Sequence, residues 1–241
     1  HKQKRLVWTG VFHFSPKRKM TSPQLAFVND KASVGGLRIR MSTKIFLIRH
    51  GQTEGNARKQ YCGFLDMELN AQGCLQVEKL GRRLEKETIH RIYASDRKRA
   101  IQSARIIFKG RRINKVSGLK EINFGIFEGK SHQEIRESNA DIYEKWLSDP
   151  YNTLVPESES LMDFQRRVTR ALEKIVLANS NKTTAVVCHG GTISIILSRI
   201  NGSKNFWELI PGSASLNVIE YINNKARITL FNDISHLNGD L

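Results

Sequence analysis

The sequence has 241 residues, of which 39% are hydrophobic and 26% are charged. This length and composition are typical of one well-buried α/β domain, and the chain is too short for two large ones. The formal net charge of +16 favours anionic partners in general but does not by itself indicate nucleic acid. No stretch approaches the roughly 18 apolar residues that span a bilayer, so no membrane partner is expected.

The first 40 residues differ from the rest of the chain in charge. They carry nine Lys or Arg against a single acid, Asp30, and so hold half of the net charge. Their short apolar patch ends in basic rather than small residues, which argues against a secretory signal and leaves an organelle transit peptide as an alternative. We expect residues 1–40 to be a basic N-terminal extension that is disordered or not native, and residues 41–241 to form the functional domain.

The cysteines predict a reducing environment. Cys62, Cys74 and Cys188 are odd in number and lack the spacing of a metal site. A reduced, cytoplasmic protein is the simplest interpretation.

From Met41 onward, strand-like and helix-like patterns alternate. The patterns predict strands at 45–48, 91–96, 113–116, 183–191, 215–222 and 226–232, and helices at 70–87, 97–110, 131–148, 159–179 and 192–200. Asn70 and Asp96 are predicted N-caps, and Gly110 a helix stop. Such alternation predicts an α/β fold with a mainly parallel, doubly wound sheet covered on both faces, a three-layer αβα sandwich.

Unusual polar residues stand where predicted strands end. Arg49 and His50 end the first strand, His189 ends a later one, and Arg99 lies in the helix after residues 91–96. Because ligands bind outside the carboxyl ends of strands in an open parallel sheet, we expect these four side chains to converge. A lone histidine at a strand end is more often structural, but two histidines with two arginines indicate an anion site.

Donor geometry favours a phosphate as the anion. Arginine forks match phosphate oxygens, and Gly51, Gly63 and Gly190 would let backbone N–H groups approach them. Asn56 adds an amide donor. A neutral histidine is a competent nucleophile near neutral pH, so we hypothesise phosphoryl transfer through a phosphohistidine.

The departing oxygen then needs a proton donor. Glu121 and Glu128 both lie in the segment 118–131. A carboxyl group beside a phosphate anion should have a raised pKa and could act first as a general acid and then as a base for water. Sequence chemistry alone does not choose between the two glutamates.

Five segments in order resemble one known family. They are LIRHGQTEGN (47–56), YASDRKRAIQSA (93–104), LKEINFGIFEG (119–129), PESESLMDFQRRV (156–168) and VVCHGGTIS (186–194). Together they are similar to the histidine phosphatase superfamily, in the branch that contains cofactor-dependent phosphoglycerate mutases and small phosphatases. The resemblance runs from about Lys44 to the end and implies a phosphoglycerate mutase-like fold.

The resemblance implies a role for each matching residue. His50 matches the histidine that is phosphorylated, and His189 matches the second histidine, which faces the phosphate. Arg49 and Arg99 match the arginines that clamp the phosphate. Glu121 falls where the family has its proton donor, which favours it over the other glutamate. The implied phosphate- or substrate-binding residues are Asn56, Cys62, Gly63 and the backbone of Gly190.

The resemblance also implies which of the family's activities to expect. The 201-residue core leaves little room for the insertion with which mutases shield the phosphoenzyme, so a phosphatase is expected. Within the phosphatases, the segment from Tyr143 to Ser160 and the tail 230–237 look like α-ribazole phosphatases of cobalamin synthesis. A broad-specificity phosphatase, a phosphoglycerate mutase and an inactive phosphate-binding scaffold remain alternatives.

The expected partner is a small phosphorylated metabolite, bound by a monomer or homodimer. No cofactor is implied, and a metal is disfavoured because arginines beside the two histidines would repel a cation. A nucleic-acid-binding protein is the weaker explanation of the charge, since half of that charge lies in residues 1–40. One departure from the family stands at 156–160, where Glu157 and Ser158 replace two glycines and could alter the loop beside the pocket.

Overall fold

The computed structural model describes residues 42–223 and 225–238, so the expectations about residues 1–40 lie outside the described residues. The described strands are β1 (Ser42–Arg49), β2 (Arg91–Ala94), β3 (Asn114–Lys115), β4 (Thr183–Cys188), β5 (Leu216–Ile222) and β6 (Lys225–Asp233). The described α-helices are α1 (Glu54–Ala57), α2 (Ala71–Leu84), α3 (Lys98–Ile107), α4 (His132–Ser148), α5 (Leu161–Ala178) and α6 (Gly190–Asn201). None of these helices combines the length and apolarity needed to cross a membrane.

The six strands form one mixed sheet in the order β3-β2-β4-β1-β5-β6. The pairs β3–β2, β2–β4 and β4–β1 are parallel, as predicted. The last two strands instead run antiparallel as a hairpin on the edge beside β1. The parallel half therefore brings the carboxyl ends of β1, β2 and β4 to the same side of the sheet.

Successive residues of β1 pack on opposite faces of the sheet, which confirms the three layers. Ile45 and Leu47 belong to a core shared with α5 and α6, whereas Phe46 and Ile48 belong to a core shared with α2 and α3. A strand buried on both faces has no polar alternation, because neither face meets water. A smaller aromatic core, which includes Tyr143 and Trp146 of α4, packs beside the first.

The predicted helix caps are confirmed at one helix and wrong at another. The Asn70 side chain accepts from the Gly73 N–H and begins α2. Asp96 does not cap α3, which begins after Arg97. The Lys98 N–H donates instead to Asp66 Oδ1 at 2.7 Å, so a loop distant in sequence supplies the acceptor.

The helix predicted at 192–200 begins two residues earlier, at Gly190, and β4 ends at Cys188. His189 is consequently the N-cap of α6, with extended backbone angles between the strand and the helix. Such a turn places its side chain at the carboxyl edge of the sheet and beside the positive end of a helix dipole.

Candidate active site

The pairing of β1 with β4 brings the two candidate histidines together. Arg49 lies opposite Cys188 in the parallel register, and the His50 N–H donates to the Cys188 carbonyl at 3.0 Å. The next residue of each strand is a histidine. The ring centroids of His50 and His189 are 5.2 Å apart with planes at 64°, and both side chains are buried.

The His50 ring is held in one tautomer. Its Nδ1 lies 2.7 Å from the Gly51 carbonyl oxygen, which can only accept, so Nδ1 carries the hydrogen. Nε2 then bears the lone pair. Burial, followed by the charges of Arg99 and Arg49, lowers the pKa of His50 well below its ordinary value of 6.5. The ring is therefore neutral near pH 7 and able to act as a nucleophile.

The surroundings of His189 also keep its ring neutral. Its Nε2 lies 2.8 Å from Ser95 Oγ, and its buried Nδ1 has no hydrogen-bond partner among the described residues. Burial is the main cause that lowers the pKa of His189 well below 6.5, and Arg99 is the next. Ser95 follows β2, so the end of a third parallel strand contributes to the cluster.

The two arginines are cations at the same site, Arg99 buried and Arg49 part-buried. Arg99 is only 1% exposed and donates to three carbonyls of one loop, at Cys62, Gly63 and Leu65. Arg49 donates to the Pro211 carbonyl. In the described part of the chain the Nε of each arginine is buried and has no acceptor.

Burial lowers the pKa of Arg49 and of Arg99, and the nearby charge of Glu121 opposes the shift in both. Guanidinium groups nevertheless keep their proton in proteins. Two positive charges, each with a buried Nε–H donor to spare, make an environment that stabilises phosphoryl oxygens.

Glu121 is the carboxylate residue of the cluster. Its carboxylate is buried and accepts from the Gly191 N–H at 2.8 Å and from the Ile122 N–H at 3.0 Å. Burial raises the pKa of Glu121, while these two N–H groups and the two arginines oppose the rise. A Cβ on Gly191 would lie 2.5 Å from Glu121 Oε1, so only glycine leaves room for the carboxylate.

Glu128 has a different environment. Its carboxylate accepts from four backbone N–H groups, those of Gly63, Phe64, Leu65 and Phe124. Through these bonds the Glu128 carboxylate holds the loop whose carbonyl groups accept from Arg99. Glu121 instead bonds to the backbone two residues after His189, and its charge acts on Arg49 as well as on Arg99.

The predicted binding residues Asn56 and Cys62 have side-chain contacts of their own. Asn56 Oδ1 accepts from the Thr53 N–H in the capping box of α1. The Cys62 Sγ lies 3.8 Å from the Met67 sulfur, and burial raises the pKa of the Cys62 thiol to about 11. Cys62 is therefore a thiol, and not a thiolate, near neutral pH.

The two predicted glycines pack closely against the site. A Cβ on Gly63 would lie 1.7 Å from the Ile122 carbonyl, which ties its loop to the residue after Glu121. A Cβ on Gly190 would lie 3.3 Å from Arg49 Cζ. Within the described residues, no group of three His, Cys, Asp or Glu side chains could hold a metal ion.

Comparison with known proteins decides the family. The model of the histidine phosphatase superfamily (branch 1) matches residues 45–234. The chain belongs to this superfamily. The metal-independent phosphoserine phosphatase of Arabidopsis thaliana is 32% identical over 202 residues, covering 82% of this chain and 84% of the relative.

Two further similarities are with bacterial proteins. The adenosylcobalamin/alpha-ribazole phosphatase of Salmonella typhimurium is 28% identical over 159 residues, covering 65% of this chain and 79% of the relative. The solved structure of Bacillus stearothermophilus YhfR superposes with a TM-score of 0.75 at 27% identity, covering 81% of this chain and 100% of that one. The superfamily and these phosphatase relatives support a phosphomonoesterase with a phosphoglycerate mutase-like fold.

Sequence reasoning missed three residues that contact the cluster. They are Ser95, which bonds to His189; Gly191, which donates to Glu121; and Arg167, which bonds to the backbone of the Glu121 segment. All three stand inside the five segments that resemble the family. Their contacts depend on how distant segments pack, so position in a motif was the only signal available.

Proposed function

We propose that this histidine phosphatase hydrolyses a small phosphomonoester in two steps through a phosphohistidine at His50. The observation that carries the proposal is the bond from His50 Nδ1 to the Gly51 carbonyl, which leaves the Nε2 lone pair free. That ring is neutral, and the charges of buried Arg99 and part-buried Arg49 both act on it. No other described histidine combines these features.

In the first step, His50 Nε2 attacks phosphorus and the bond from phosphorus to the leaving oxygen breaks. Glu121 gives its proton to that oxygen, which departs as an alcohol. In the second step, a water oxygen attacks the phosphohistidine and the N–P bond breaks. Glu121 takes a proton from the water, inorganic phosphate leaves, and the enzyme returns to its starting state.

The proposed roles of the other residues follow from charge and position. Arg49 and Arg99 would neutralise the equatorial phosphoryl oxygens, and His189 would face the phosphoryl group from the opposite ring. The phosphate or substrate would also contact Asn56, Cys62, Gly63 and the backbone of Gly190.

For the substrate, we keep α-ribazole 5′-phosphate as the proposal and phosphoserine as the second candidate. Relatives carry both substrate names, and the phosphoserine phosphatase covers more of this chain. A cytoplasmic location and a monomeric or dimeric state stay predictions, as does the absence of a metal requirement.

The test measures phosphate release in EDTA from α-ribazole 5′-phosphate, O-phosphoserine, 3-phosphoglycerate and p-nitrophenyl phosphate. His50→Ala is the blank, and His90→Ala, an exposed histidine next to β2, is the matched control. We expect activity in wild type and control, loss of at least about 10³-fold in the blank, and a labelled phosphohistidine that only the blank lacks. A blank as active as wild type would refute the mechanism. The ester with the highest kcat/KM decides between the two substrates.

A further inference from the structure

Arg167 of α5 uses all five of its N–H donors around the Glu121 segment. Two bonds, each of 2.7 Å, go to the Glu159 carboxylate. Three go to backbone carbonyls: Gly118 at 3.2 Å, Lys120 at 2.7 Å and Glu121 at 2.8 Å. A planar guanidinium is the one side chain with enough donors for this pattern.

The ion pair makes this arrangement rigid. The Arg167 and Glu159 side chains are only 24% and 18% exposed, and the pair is bidentate. A partly buried bidentate pair fixes the guanidinium in one orientation. From the other side, Thr192 Oγ1 of α6 donates to the Lys120 carbonyl at 3.1 Å. Residues 118–120, which precede Glu121, are therefore hydrogen-bonded to both α5 and α6.

We propose that Arg167 is a positioning residue that holds Glu121 in reach of the leaving oxygen; this inference rests on the proposed function. The carbonyl of Glu121 is bonded to Arg167 and its carboxylate to the Gly191 N–H, so backbone and side chain of one residue are fixed at two points. Proton transfer needs hydrogen-bond distance, and a displacement of about 1 Å at a reacting group can cost about 10²-fold in rate.

The chain offers a matched control on the same helix. Arg166 is the neighbouring residue, is 57% exposed, and pairs with Asp163 one turn away. Among the described residues, its side chain bonds to Asp163 and not to the segment before Glu121. Arg166→Gln removes the same charge from α5 and leaves the acid in place.

The experiment compares kcat/KM for two esters that differ in their need for an acid. The p-nitrophenolate ion leaves without a proton, whereas the alkoxide of β-glycerol phosphate requires one. Because kcat/KM reports the steps up to the first irreversible one, it follows formation of the phosphoenzyme. For Arg167→Gln we expect a loss of about 30-fold or more with β-glycerol phosphate and less than about 3-fold with p-nitrophenyl phosphate. Arg166→Gln should stay within about 2-fold on both.

A second variant covers the case in which Arg167→Gln unfolds. Glu159→Gln keeps an acceptor oxygen but removes the charge that orients Arg167, so it should show the same ester dependence with a smaller loss. Melting curves identify which variants are folded. Equal losses on the two esters in folded variants would mean a merely structural role and would overturn the inference. If wild type hydrolyses neither ester, or His50→Ala matches wild type, the proposed function fails instead.

Discussion

At the scale of single residues, two glutamates seven positions apart are suited to different roles because their surroundings differ. Glu121 is buried beside two arginines and accepts two N–H groups, whereas Glu128 accepts four N–H groups from two loop segments. A carboxylate saturated with backbone donors stabilises a loop. A carboxyl group with a raised pKa beside two arginines is suited to proton transfer.

The two glutamates should respond in opposite ways to substitution. We expect Glu121→Gln to lower kcat/KM for an alkyl phosphate by about 10²–10⁴-fold with little change in the free energy of unfolding. Glu128→Ala leaves four N–H groups without their acceptor and should lower the free energy of unfolding by about 1–3 kcal/mol. Urea titration and steady-state kinetics on both variants check this. A fully active Glu121→Gln would exclude this residue as the acid.

The pH dependence should follow the shifted pKa values of the proposed nucleophile, His50, and the proposed acid, Glu121. Burial lowers the pKa of His50 below 6.5, so its neutral form persists into acidic solution. Burial raises the pKa of Glu121 above its ordinary 4.5, so its protonated form persists to higher pH. We expect the pH profile of kcat/KM, corrected for ionisation of the ester, to fall on its acid side only below pH 6.5, where His50 takes up a proton. The fall on the alkaline side reports loss of the Glu121 proton, and Glu121→Gln should abolish it. An acid limb above pH 6.5 would contradict a neutral, buried His50.

At the scale of elements, the loop before α5 has Glu157 and Ser158 where the resemblance to the family predicts two glycines. Glu157 adopts a φ of +62°, in the left-handed region that favours glycine. The loop packs against the segment after Glu121: Glu159 N–H donates to the Asn123 carbonyl, and Phe124 bridges to Ser158. These contacts impose the backbone conformation on a residue that does not favour it.

This strain makes a testable difference in stability. A left-handed residue other than glycine costs roughly 1–2 kcal/mol, part of which is offset by the greater freedom of glycine in the unfolded chain. We expect Glu157→Gly to raise the free energy of unfolding by roughly 0.5–1 kcal/mol. Glu157→Ala removes the same side chain but keeps the strain, so it should show no gain. Equal gains in both variants would assign the effect to the side chain instead.

At the scale of the whole molecule, the two buried histidines link the stability of the fold to pH. Burial is the main cause that lowers the pKa of both His50 and His189. The unfolded chain therefore takes up protons near pH 6.5, where the folded protein does not. The resulting loss of stability begins as the pH falls below 6.5 and grows until the lowered folded-state pKa is reached.

Thermal unfolding between pH 7.5 and 5 measures this linkage. We expect the Tm of wild type to fall with pH, and that of His189→Asn to fall less, because one buried titrating group is gone. A His189→Asn curve parallel to wild type would show that this histidine does not take part.

The amino-acid sequence by itself determined the alternation of strands and helices and the position of Arg49, His50 and His189 at strand ends. Those features follow from burial periodicity and turn chemistry, which act over a few residues. Asn70 was found as a cap for the same reason. The two antiparallel strands on one edge were predicted as strands, but their direction was not.

Only the tertiary structure decided which distant residues meet. The parallel register of β1 and β4 sets the 5.2 Å between the histidine rings. The acceptor at the start of α3 comes from Asp66. The packing of α5 and α6 around the segment of Glu121 gives this residue an environment that Glu128 does not have. The physical reason is that these contacts join residues far apart in sequence, and no local pattern records a bond whose two partners meet only when the layers pack.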